Sequence, residues 1–203
     1  MSSLLVLDAS PIINALGCGA PERILAPFDG KCVVEENTLK EVIRNPFDMK
    51  HAGPVLEGLI DRNYLKVVRL GDVGYESYIE LVAASASDAL GRGEAAALAY
   101  AQEVGAVIVL DDRKARRIGC ERFPACKQYS SLTLFRHAAE TSGMTLNQII
   151  PLVSLAFEKA RMHVLPEDRL WLDELGISHV DKSLKKTQRG SQRRPVRAGT
   201  SRN

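Results

Sequence analysis

Residues 106–112 read AVIVLDD, five apolar side chains running straight into two carboxylates. The run shows no polar alternation. As a strand it must therefore be buried on both faces, the situation of a parallel strand with helices above and below it. Residues 94–104, EAAALAYAQEV, precede it as a strong helix with Gly105 as C-cap, and RKARRIG follows as another helix. Such a strand needs parallel neighbours. Shorter apolar runs at 4–7, 31–34 and 65–70 supply them. Helical stretches separate these runs. Ser10 reads as an N-cap with Pro11 at the first helical position before IINALG. Thr38-Leu-Lys-Glu41 opens a helix that Asn45-Pro46 ends, and residues 52–63 and 73–87 carry helical patterns. The alternation predicts an α/β fold: a Rossmann-like α/β/α sandwich around a mainly parallel sheet.

After Cys126 the alternation stops. Residues 130–142, 145–163 (interrupted by Pro151) and 166–176 read as helices. The expected organisation is an α/β domain over 1–140, a helical extension over 141–180 and a basic, disordered tail over 181–203. Eight of the 27 Lys and Arg residues lie in 182–203, where there is no acid, so residues 1–181 set 25 acids against 19 bases. A basic tail on an acidic body suits an anionic partner such as nucleic acid, or is a solvated end.

Cys18, Cys32, Cys120 and Cys126 form no C-x-x-C pair, and no histidine flanks them at zinc spacing. Reduced thiols in a cytoplasmic protein are expected. The start MSSLLVLD lacks the basic region of a signal peptide, and no apolar stretch approaches the length of a membrane span.

In a doubly wound domain the parallel strands end at one edge, and each following helix starts there. Asp8 ends the first strand, Asp111 and Asp112 end the strand 106–110, Glu41 sits in the first turn of the helix after the second strand, and Glu94 starts the helix before AVIVL. Each has an ordinary structural use. Glu41 suits a capping box with Thr38, Glu94 the positive end of its helix, Asp112 the cap of RKARRIG, and Asp8 a turn. Gathered together they are costly, because two carboxylates about 5 Å apart repel by roughly 3 kcal/mol at an effective dielectric near 20. A hard cation such as Mg²⁺ or Mn²⁺ removes that cost. The chemistry it suits is hydrolysis of phosphodiesters. A dinucleotide site is excluded, since Gly17-Cys-Gly19 follows a helix and Glu22 stands where the third glycine belongs.

These segments resemble the PIN-domain nucleases. The likeness rests on LLVLDASP at the start, TLKEV in the second segment, and GRGEAAALAYA followed by AVIVLDDRKARR, and it spans about residues 4–140. The GxGEAxAxxxA helix with an LDD strand end is most similar to a bacterial and archaeal subgroup related to VapC-like toxins. The resemblance implies a Mg²⁺- or Mn²⁺-dependent endoribonuclease acting on single strands, with RNA as substrate and, in the toxin role, an antitoxin as partner. By motif it implies Asp8, Glu41, Glu94 and Asp112 as the catalytic acids and Ser10 as the hydroxyl beside the first. Many members carry T-x-D where this chain has Leu110-Asp111-Asp112, so the family's threonine is absent and Asp111 stands as a second candidate ligand beside Asp8, Glu94 and Asp112. Arg113, Lys114, Arg116 and Arg117 form either a basic face for an RNA backbone or a solvated helix face. The region 130–176 is either a homodimer or partner surface or additional core. The competing reading is a catalytically inactive PIN-fold module that binds RNA or a protein.

Overall fold

The computed structural model describes residues 3–177. The expected tail therefore lies outside the described residues. The strands are β1 (Leu5–Leu7), β2 (Cys32–Glu35), β3 (Lys66–Val68), β4 (Val107–Val109) and β5 (Gln128–Tyr129). The helices are α1 (Ala9–Gly17), α2 (Pro21–Leu25), α3 (Glu36–Leu39), α4 (Gly53–Asp61), α5 (Asp72–Val82), α6 (Arg92–Val104), α7 (Arg113–Arg122), α8 (Ser131–Ser142), α9 (Leu146–Leu155) and α10 (Arg169–Glu174). All five strands are parallel, in the order β3-β2-β1-β4-β5.

The two-residue period of the strands divides the core in two. Leu5, Leu7, Cys32, Val34, Val107 and Val109 face a layer that buries α1, α2, α4, α8 and α9. Val6, Val33 and Ile108 face a second layer built on α5, α6 and α7. The fold is the α/β/α sandwich that the alternation predicts. Residues beyond 140 are not a separate layer: Ile149, Leu152, Val153, Leu172 and Leu175 belong to the same core as Leu5 and Leu7.

Several local expectations are corrected. Asp8, not Ser10, is the N-cap of α1, and Pro11 is its third residue, because the chain turns into the helix directly from the strand end. Thr38 opens no helix. Glu35 caps α3 by accepting from the backbone N–H of Asn37 at 2.6 Å, and the helix is over before Glu41. Pro151 lies inside α9 without interrupting it. It sits on the exposed side, where the carbonyl it leaves unbonded, that of the exposed Asn147, can be met by water. The segments α2 and β5 have no counterpart in the sequence reading. β5 has only two residues, too few to show a period.

Past α9 the helix runs on as a π turn over Ala156–Ala160. It packs so close to α1 that a Cβ on Gly17 would lie 2.7 Å from the Cβ of Ala160. Arg161 then adopts a left-handed conformation (φ 57°) that turns the chain back toward the strand ends. Ser130, the N-cap of α8, donates to Asp168 at 2.8 Å and fixes the returning chain there. All four cysteines are free thiols, and burial pushes Cys18 up to about 11 and Cys32 up to about 12. Among the described residues no helix is long and apolar enough to cross a membrane.

Candidate functional site

The strand order reverses between β1 and β4, and the crevice beyond their ends is where ligands bind in folds of this kind. The two ends lie side by side, with the backbone N–H of Asp8 donating to the carbonyl of Val109 at 3.1 Å. Asp8 is only 3% exposed. It stands at an N-cap position yet, among the described residues, its carboxylate makes no capping bond and the buried Oδ1 accepts no hydrogen bond. Its pKa is raised to about 7, first by burial and then by the nearby charges of Glu94 and Glu41, against the pull of the Ala9 and Ser10 backbone N–H groups. Ser10 is half-buried in the first turn of α1, two residues from Asp8.

Glu41 reaches the same edge by an unexpected route. Its Oε1 accepts from the backbone N–H of Gly93 at 2.8 Å, while Thr38 Oγ1 donates to the Gly93 carbonyl at 2.8 Å. The T-L-K-E segment is thus a clamp on the start of α6 and not a cap of its own helix. The clamp explains the glycine: a Cβ at position 93 would lie 2.5 Å from Glu41 Oε1. Gly93→Ala is expected to displace Glu41 and to destabilise by about 1–3 kcal/mol, the usual range for overpacking, measured by thermal melting.

Glu94 is half-buried, and its Oε2 accepts from the backbone N–H of Gly91 at 3.2 Å. Burial raises its pKa, and the charges of Asp112 and Glu41 add to the rise. Asp112 caps α7, its Oδ1 accepting from the backbone N–H of Ala115 at 2.8 Å. Glu41, Glu94 and Asp112 therefore share one pattern. Each spends one carboxylate oxygen on a helix start, and the other (Glu41 Oε2, Glu94 Oε1, Asp112 Oδ2) has no hydrogen bond among the described residues.

Asp111 is different. It is 4% exposed. Its Oδ1 accepts from the backbone N–H of Ser131 at 2.8 Å, and its Oδ2 accepts from Ser131 Oγ at 2.5 Å and Asn14 Nδ2 at 3.0 Å. Burial raises its pKa, opposed by the bonds from Ser131 and by the charges of Arg116 and His163. It ties α1 and α8 to the end of β4. Asn14 and Ser131 carried no signal in the sequence that would have revealed this role.

The four basic residues after it are not one open face. Lys114 donates to the carbonyls of Ala89 at 2.7 Å and Ala86 at 3.2 Å. Arg116 pairs with Glu167 at 2.5 Å and donates to the Leu110 carbonyl at 3.0 Å. Arg117 pairs with Asp88 at 2.9 Å and Glu121 at 2.8 Å. Arg113 alone of the four has no such partner among the described residues.

Among the described residues no three His, Cys, Asp or Glu side chains stand within reach of one ion as they are placed. The donor set nevertheless suits a hard divalent cation. It is all oxygen, and it includes a buried carboxylate oxygen with no partner among the described residues.

A family model for a PIN domain matches residues 4–122, the stretch that carries all five acids. No curated protein matches the chain.

Proposed function

The chain belongs to the PIN-domain family, whose fold is of nuclease type, and from that premise we propose that it is a metal-dependent endoribonuclease that hydrolyses phosphodiester bonds in single-stranded RNA. The observation that carries the reading is the unpartnered buried oxygen of Asp8, set beside Glu94 and Glu41. Such a carboxylate is a poor structural residue and a good ligand. Asp8, Glu41, Glu94 and Asp112 hold Mg²⁺ or Mn²⁺ in this proposal. The bound ion supplies an activated water and charge to stabilise the leaving oxygen.

The chain's own groups do the rest. The clamp of Thr38 and Glu41 on Gly93 fixes the start of α6 and with it the position of Glu94. The free guanidinium of Arg113 offers a planar fork to a phosphate of the substrate. In this reading the Ser10 hydroxyl, in the first turn of α1 after Asp8, faces the substrate side of the site, while the Ser10 backbone N–H acts on the Asp8 carboxylate. Asp111 holds the strand end and its neighbours in register, and in this reading Asp112, not Asp111, takes the metal. A role as the toxin of a toxin–antitoxin pair, with the antitoxin as protein partner, extends the reading, as does a homodimer formed through the helical extension. A small open reading frame immediately upstream would support the first.

The test is cleavage of single-stranded RNA in Mn²⁺ by the wild type and by the Asp8→Asn and Glu94→Gln proteins. Each substitution is expected to lower the rate by about a hundredfold or more, since even outer partners of metal ligands contribute 10–100-fold. Cleavage that survives both substitutions would overturn a metal site built on these acids, and a wild type that never cleaves would instead favour an inactive PIN module that binds RNA or protein.

A further inference from the structure

Beside the acids lies a pocket of about 300 Å³ lined by Asp111, Asp112, Arg113, His163, Val164 and Leu165. Its far wall comes from outside the residues that the family model matches, which end at 122. We propose that this pocket is a subsite for one unpaired nucleotide next to the scissile phosphate, with the His163 ring stacking on the base and Arg113 on the adjoining phosphate. The inference rests on the ribonuclease reading and names where its substrate lies.

The wall is held in place from both ends. Arg161 turns the chain at φ 57°, and Met162 and Leu165 are buried on either side of His163 and Val164. Glu167 pairs with Arg116 from α7, and Asp168 accepts from Ser130 at the start of α8. His163 itself is exposed and lines the pocket, so its ring is not used to pack the core. The lining suits a nucleotide. Val164 and Leu165 give an apolar surface, the imidazole a flat face, and Arg113, beside the carboxylates of Asp111 and Asp112, a cation with no ion pair among the described residues. Single-strand recognition relies on such stacking platforms beside basic groups. The volume is near the lower end of ordinary ligand sites, about 300 Å³, which admits one splayed nucleotide and no duplex.

The test compares wild type with His163→Ala, His163→Phe and Arg113→Ala on short single-stranded oligoribonucleotides. Cleavage kinetics, base preference flanking the cut, and binding by fluorescence anisotropy are measured for each. His163→Ala is expected to raise KM roughly tenfold, a typical loss for one stacked base, and to flatten the base preference on one side of the cut, while Arg113→Ala raises KM and leaves that preference unchanged. KM rises more than kcat falls, and His163→Phe restores most of the affinity because it keeps the flat face. If the wild type cleaves and the variants share its KM and base preference, the subsite is overturned while the ribonuclease reading stands. If the wild type binds but does not cleave, and His163→Ala weakens binding, the ribonuclease reading fails and the subsite stands. Neither binding nor cleavage overturns both.

Discussion

In metal-free buffer at pH 7.5, the Asp8→Asn protein melts above the wild type, by about 5 °C for a chain of this size. The reason is the position of the carboxylate. Asp8 is buried, and its pKa is raised from 3.8 to about 7 in the folded chain. Below pH 3.8 both folded and unfolded chains hold the proton and nothing is lost. As pH rises from there toward 7, the unfolded chain releases a proton that the native chain keeps, so stability falls. Above 7 the loss is constant, with a ceiling of about 4 kcal/mol. Asparagine carries no charge and removes this slope, at a cost of roughly 1–2 kcal/mol for its own poorly bonded amide. The gap between the two proteins should therefore close, and reverse by about 1 kcal/mol in favour of the wild type, when the melts are repeated near pH 4. A gap that is the same at both pH values would mean that the carboxylate is not disfavoured by its surroundings.

Replacing Asp111 and Asp112 separates two adjacent and chemically identical residues. Asp111→Ala removes three bonds, leaves the buried backbone N–H of Ser131 without its acceptor and takes one partner from Asn14. A loss of about 3 kcal/mol is expected. Asp112→Ala removes one exposed cap, worth about 1 kcal/mol, but abolishes cleavage. Urea denaturation measures the first effect and an RNA cleavage assay the second. The opposite result, an Asp112 substitution that unfolds the chain and an Asp111 substitution that only silences it, would reverse the assignment.

That pair marks the limit of what the sequence discloses. The apolar run before the two aspartates shows that a parallel strand ends there, because a strand buried on both faces needs no partner information to be read. It does not show that one carboxylate points to the seryl N–H of α8 and the other to the start of α7, since both follow from the turn leaving β4. Asp8, Glu41 and Glu94 were legible as acids at one edge, because the helix–strand alternation fixes which ends share a side. The clamp of Thr38 and Glu41 on Gly93 was not. It joins residues 52 and 55 positions apart, and its spacing imitates a capping box. The partners of the basic run after Asp112 were hidden for a related reason: helical spacing says which residues share a face, not which acids of other segments are waiting there. His163 carried no signal, because the turn at Arg161 that returns it to the site is a left-handed residue with no glycine to announce it.

The most direct measurement is a calorimetric titration of Mn²⁺ into the wild type and the Asp8→Asn protein at pH 6, in two buffers of different ionisation heat. A metal centre built on Asp8 gives saturable binding in the wild type with release of a proton to the buffer, since the carboxylate must ionise to take the ion. It also gives binding at least about tenfold weaker in the Asp8→Asn protein. Equal binding by both proteins, or none by the wild type, would contradict it.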